Sequence, residues 1–363
     1  MTDSATRAPH PALAAWSELR RSGSARAALV TLARADGGSS RPVGARLAVS
    51  EDGRAFGSVT IGGCADGRAR MAAERILRSG GRELLTVPLG EEDAVALGLG
   101  CAGEVDLLVE AVGTSTADAA AQAFDAAAGA MEAGRRAALI TPMDGSAGKL
   151  LVREDGARAG TAGSDTRDAA AATLGAALLH DGDARSGVHE AAGERWLVEL
   201  LTPAFTLLIV GATDIAVELC TMAARLGWRA VLIDPRDELL AESRFAVATE
   251  RHAAIPAEAV AGLMGDARTA VVVVAHDYKV ELPVLRVALR SNAAYVGLLG
   301  SRRRAAAVHA LLADDGLTPE QLGRLRMPIG LAIGAQGAAE IAVSIAAELI
   351  GTFRGHAPRE RMP

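Results

Sequence analysis

The spacing of apolar positions predicts an irregular first half and a regular second half. A short helix is predicted at 12–21, and the apolar run "ARAALVTLAR" (25–34) reads as a buried strand bounded by charge and glycine. The segment "DGGSSRPVGA" (36–45) has every turn signal of a loop. Two short strands follow near 45–50 and 56–61, joined by the "EDG" turn at 51–53. A helix is predicted at 66–79, where Ala69, Ala72, Ala73, Ile76 and Leu77 share a face. Strands at 83–87 and 104–112 flank the glycine-rich "GLGCAG" (98–103). An alanine-rich helix (117–133), strands at 136–141 and 149–153, a helix at 166–179 and a strand at 195–201 complete a mixed α+β half. No internal repeat is evident.

From Thr206 the pattern becomes a regular alternation. The apolar runs "TLLIV" (206–210), "RAVLI" (229–233), "AVVVVA" (270–275) and "AYVGLL" (294–299) read as strands buried on both faces. Helical spacing separates them, with Ile215, Leu219, Met222 and Leu226 on the first helix. This predicts an α/β protein: an N-terminal mixed α+β domain (1–202), then a Rossmann-like doubly wound parallel sheet (203–352) and a flexible tail (353–363).

Composition narrows the class. Of 363 residues, 50% are hydrophobic and 3% aromatic, so Ala, Val, Leu and Ile must build the core. The formal charge of −6 lacks the basic footprint of a nucleic-acid binder. Apolar stretches fall short of the ~18 residues of a membrane span, and the N-terminus has no secretory pattern. Three cysteines, with no C-x-x-C pair, form no disulfide framework. A cytoplasmic location is expected.

Several segments hold candidate chemistry. Gly211-Ala212-Thr213-Asp214 stands where a Rossmann strand turns into its helix, and Asp234 ends the next strand where a carboxylate would hold a ribose. Thr213 replaces a glycine, and Asp214 is expected to cap the helix and repel a phosphate, so NAD(P) is not expected to bind well. Gly300-Ser301-Arg302-Arg303-Arg304 joins a helix start to guanidinium groups, as an anion site would, with a solvated basic face as the competing reading. Gly330 and Gly334 lie in a glycine-rich segment before the last helix, and His276 ends the central strand beside Asp277. Cys64, after Gly62 and Gly63, and Cys101, near Gly103, are glycine-flanked thiols able to meet a soft metal or sulfur; buried packing is the alternative. Cys220 reads as packing.

Together these segments resemble the XdhC/CoxI family, the accessory factors that mature xanthine dehydrogenase and related molybdenum hydroxylases. The resemblance rests on "SSRPVGARLAV" (39–49), "GSVTIGGCADG" (57–67), "GLGCAGEVDLLVE" (98–110), "LLIVGATDIA" (207–216), "IDPR" (233–236), "AHD" (275–277), "YVGLLGSRRR" (295–304) and "MPIGLAIGA" with "EIAVSIAAELI" (327–350). It implies a non-catalytic chaperone that binds molybdenum cofactor, a pyranopterin dithiolene with a phosphate tail. It further implies help with sulfuration through a cysteine desulfurase, delivery to a hydroxylase such as xanthine dehydrogenase, and a homodimer. Cys64 and Cys101 would then be the thiolates facing the molybdenum centre, close together at one site.

The chain departs from the family pattern mainly in its second half. The family's Gly-Ala-Gly-His reads Gly211-Ala212-Thr213-Asp214, and its Gly-Leu-Asp-Ile-Gly reads Gly330-Leu331-Ala332-Ile333-Gly334, without the carboxylate. A nicotinamide-dependent oxidoreductase and a scaffolding relative with a degenerate nucleotide site are the competing functions.

Overall fold

The computed structural model describes residues 10–37, 41–89, 103–265 and 267–355, and the chain divides into a unit spanning Pro9–Pro203 and one built from Ala204 onward.

The first unit contains helix α1 (Ala14–Ser22), strands β1 (Arg26–Gly37), β2 (Arg46–Ser50) and β3 (Ala55–Gly57), helix α2 (Asp66–Ser79) and strands β4 (Arg82–Leu89) and β5 (Gly103–Gly113). The order then repeats: helix α3 (Ala119–Glu132), strands β6 (Ala137–Pro142), β7 (Lys149–Arg153) and β8 (Arg158–Thr161), helix α4 (Asp165–His180), strands β9 (Gly187–Ala191) and β10 (Glu194–Leu201). Each half forms a five-stranded antiparallel sheet, in the orders β3-β2-β1-β5-β4 and β8-β7-β6-β10-β9. The expectation of no internal repeat is therefore wrong.

The registers match residue by residue. "RAALVT" (26–31) becomes "RAALIT" (136–141), and the "EDG" turn at 51–53 returns at 154–156. Leu29 pairs with Glu110 as Leu139 pairs with Glu199, and Leu47 faces Gly57 as Leu150 faces Gly160. Both glycines need their conformation. Gly57 has φ +81° and a Cβ there would lie 2.3 Å from the Arg46 carbonyl oxygen; Gly160 has φ +80° and a Cβ 2.2 Å from that of Lys149.

Strand alternation puts one face of each sheet into a shared core. Ala27, Leu29, Ala137 and Leu139 meet there with α1 and α3, where Trp16 stacks on Phe124 with centroids 4.8 Å apart. The outer faces are covered by α2, over Ala28, Val30 and Val109, and by α4, over Ala138, Ile140 and Val198. Charges cross between the halves. Arg46 of β2 pairs with Glu199 of β10, and Lys149 of β7 pairs with Glu110 of β5 at 2.9 Å, all four side chains being buried. Both cations also lie over the Phe124 ring, at 4.8 and 5.2 Å. Arg82 adds a third cation on Glu110 without a counterpart in the second half.

The second unit has strands β11 (Thr206–Val210), β12 (Arg229–Asp234), β13 (Glu250–Ala253), β14 (Thr269–Val273), β15 (Tyr295–Leu298) and β16 (Leu325–Arg326). Its helices are α5 (Asp214–Leu226), α6 (Asp237–Leu240), α7 (Pro256–Leu263), α8 (Tyr278–Leu289), α9 (Arg302–Asp314), α10 (Pro319–Gly323) and α11 (Gly337–Phe353). The sheet is wholly parallel in the order β13-β12-β11-β14-β15-β16, the Rossmann arrangement with its switch point between β11 and β14. The core face of α5 is Ile215, Ala216, Leu219, Cys220 and Ala223, while Leu226 is exposed. Burial pushes the Cys220 thiol up to about 12, as packing requires. Phe353, at the end of α11, stacks on Phe205 with centroids 3.8 Å apart. Among the described residues no helix is long and apolar enough to cross a membrane.

Candidate functional site

In an open parallel sheet, ligands bind beyond the C-terminal ends of the strands, beside the switch point. Here Gly211 leaves β11 with φ +107°, and a Cβ on it would lie 2.7 Å from the backbone nitrogen of Ala275. The glycine therefore serves the approach of two chain segments. Asp234 is buried, and its Oδ2 accepts from Ala212 N (2.7 Å) and Arg236 Nη2 (2.7 Å). Its Oδ1 accepts from Arg236 N (3.0 Å) and Nε (2.8 Å). Burial pushes this carboxyl up, but Arg236 and the two amides outweigh that and hold it below the usual carboxylate range. The carboxylate expected at a ribose thus clamps its own loop.

Asp214 does not cap the helix as expected. Thr213 holds the extended cap conformation and its hydroxyl accepts from Ala216 N (3.3 Å). Asp214 sits one residue inside the helix, exposed, and pairs with Arg244 at 2.5 Å. A neutral hydroxyl and a compensated carboxylate repel an anion less than a bare capping aspartate would.

The ends of β14 and β15 gather a second set. His276 is exposed beyond β14, and Asp277 caps α8 by accepting from Lys279 N (2.8 Å). Ser301 caps α9, accepting from Arg304 N (3.3 Å), while Arg302 and Arg303 face solvent. Gly300 packs against Met327, whose Cε would lie 2.5 Å from an added Cβ. Arg304 turns inward, ion-pairs with Glu281, donates from Nε to Tyr278 Oη (3.1 Å) and lies 4.4 Å from the Tyr278 ring centroid. Glu281 is fully buried in the first turn of α8, and its Oε1 has no hydrogen-bond partner. Burial pushes its carboxyl up against the pull of Arg304. Sequence reasoning missed Glu281, Tyr278 and Arg304 as a group, because a glutamate in a first helical turn reads as an ordinary dipole partner.

The chain beyond β16 reaches Gly330, whose amide donates to the buried Glu348 (2.8 Å) and whose missing Cβ would strike Ser344 Oγ. Gly330 is thus a packing glycine, whereas Gly334 has open space around it.

In the first unit Cys64 is exposed on the turn between β3 and α2. That segment is a turn rather than the strand expected through 61. Gly62 and Gly63 take φ +83° and +73°, a succession that favours glycine. Thr60 Oγ1 accepts from Ala65 N (3.2 Å) and Asp66 Oδ1 from Val59 N (3.1 Å), so the turn is tied at both ends. The register puts this turn at the same end of its sheet as Gly103, which pairs with Gly37 and Leu89. Cys101 lies outside the described residues. Among the described residues no group of three or more His, Cys, Asp or Glu could hold a metal ion.

Known proteins give this geometry a lineage. A family model for the XdhC Rossmann domain matches residues 207–349, and one for the XdhC and CoxI family matches 20–88. A Bacillus subtilis protein named as a probable subunit of xanthine dehydrogenase is 32% identical over 43% of this chain, an alignment spanning 45% of that relative. The Escherichia coli molybdenum cofactor insertion chaperone PaoD is 26% identical over 89% of this chain and 82% of its own. A solved structure from Bacillus halodurans, described as a xanthine dehydrogenase, superposes with a TM-score of 0.73 at 22% identity, covering 93% of this chain and 94% of that one. With both of its units matched, the chain belongs to the XdhC and CoxI family.

Proposed function

We propose that the protein is a carrier that holds molybdenum cofactor and delivers it to a xanthine-dehydrogenase-type molybdenum hydroxylase in the cytoplasm, as a homodimer, with sulfur supplied through a cysteine desulfurase. The observation that carries this reading is the exposed Cys64 thiol on a turn fixed by Thr60 and Asp66. A soft thiolate suits a molybdenum–sulfur centre. A relative named as an insertion chaperone aligns along most of both chains, which supports the same reading.

The nicotinamide alternative draws only on the strand order, since Asp234 already accepts four hydrogen bonds from its own chain. Expression in a host that makes the cofactor, followed by oxidative release and fluorescence of the pterin, tests the proposal. Pterin should accompany the parent protein and fall in Cys64→Ser. A parent free of pterin but binding NAD(P) tightly would reverse the choice.

A further inference from the structure

We infer that Glu281 receives the N–H edge of a planar nitrogen heterocycle at the C-terminal ends of β14 and β15, with the ligand's anionic tail on the Ser301–Arg303 turn. The assignment rests on the reading that the cargo is a pterin. A carboxylate presents acceptors to the adjacent N–H groups of an aminopyrimidinone edge, the part of such a ring that a phosphate site cannot read.

Three observations converge. Glu281 is fully buried, yet Oε1 lacks a donor, and buried polar groups rarely stay unpaired without a reason. It lies between two helix starts at the sheet edge where α/β folds bind ligands, joined across them to Arg304 in the first turn of α9. The layer made by Arg304 and Tyr278 is itself part-exposed, with 22% of the Arg304 side chain and 41% of Tyr278 open to solvent. Movement of these two side chains would open the carboxylate without disturbing the sheet. His276 and Asp277 stand on the connection that leads into this helix and are exposed. Arg302 and Arg303 leave their guanidinium groups free toward solvent just before the inward-turning Arg304.

The experiment measures equilibrium binding of pterin-6-carboxylate and, separately, of inorganic phosphate to the full chain. Glu281→Gln keeps the shape and removes an acceptor, so it should weaken pterin-6-carboxylate about tenfold or more while leaving phosphate unchanged. Arg302→Ala with Arg303→Ala should weaken both probes. Should Glu281→Gln fold poorly, Tyr278→Ala, which thins the cover over Glu281, should strengthen the pterin probe and leave phosphate unchanged. Equal pterin affinity in parent and variants overturns the assignment, and so does a parent that binds phosphate but no pterin probe. Pterin released from the purified parent judges the cargo reading separately, so the two can fail independently.

Discussion

The two halves of the first unit have the same scaffold and different ends. Both run helix, three strands, helix, two strands, with matching registers, matching left-handed glycines and crossed ion pairs. Their connections differ at one end of the sheet. Residues 38–45 join β1 to β2 where 143–148 join β6 to β7; 58–65 precede α2 where 162–164 precede α4; and 90–102 join β4 to β5 where 192–193 join β9 to β10. The shared part of the comparison is what a stable two-sheet core requires. The enlarged part, which includes Cys64, is what that core does not need, and it occurs in one half only. Loops set on a rigid scaffold are where binding residues concentrate, so the asymmetry supports the role proposed for the Cys64 turn.

The crossed charges should give the largest effects if the halves are locked as described. Removing one partner of a buried pair leaves an uncompensated charge, which costs about 3–5 kcal/mol. Glu199→Ala strands Arg46, and Glu110→Ala strands both Lys149 and Arg82, so the second loss should be the greater in denaturant unfolding. A cost below about 1 kcal/mol for both would break the symmetry argument. The pH dependence follows the same pair. Burial pushes Glu110 up, but Lys149 and Arg82 hold it at about 2, against 4.5 when unfolded. Its contribution is therefore complete above the unfolded value and lost as pH falls from there toward 2. Glu110→Gln should flatten that acid limb of stability.

The paired glycines come next. Gly57→Ala and Gly160→Ala each force a side chain into a left-handed conformation against a backbone oxygen, at a cost of about 1–3 kcal/mol. Gly160 also stands against the Ala119 carbonyl oxygen, 2.8 Å from an added Cβ, so its variant should be the less stable. Equal tolerance at both positions would mean that the registers coincide without sharing a constraint. The smallest stability change belongs to Cys64→Ser, within about 0.5 kcal/mol of the parent because the thiol is exposed. Its effect should fall on cofactor retention.

Much of the fold was legible because its strongest signals are local. The runs "TLLIV" and "AVVVVA" are too apolar to lie anywhere but in a buried parallel sheet, and β11 begins and ends where the pattern predicts. The strands missed were β8, β9, β13 and β16, all of them short or polar edge strands such as "GVHEA" and "ERHA". The duplication was hidden because the matching stretches are brief and their connections differ in length, which destroys any fixed period. A signal was present all the same: Arg46 and Lys149 open apolar strands, and Glu110 and Glu199 interrupt them, in equivalent places of two similar runs. Who partners whom is a tertiary fact that no local pattern holds. The same limit hid Glu281, whose meaning depends on Arg304 reaching it from another helix. Cys64 was legible as a site candidate from its glycines, since only a special backbone needs two in succession.

Hydrogen exchange across the two equivalent turns would show whether the cofactor meets the Cys64 turn. Amides at 58–66 and at 161–166 occupy the same place in the two halves, and the anaerobic protein would be compared with and without added molybdenum cofactor. Added protection is expected at 58–66 on binding and none at 161–166. Equal protection of both turns, or protection of 161–166 alone, would contradict it.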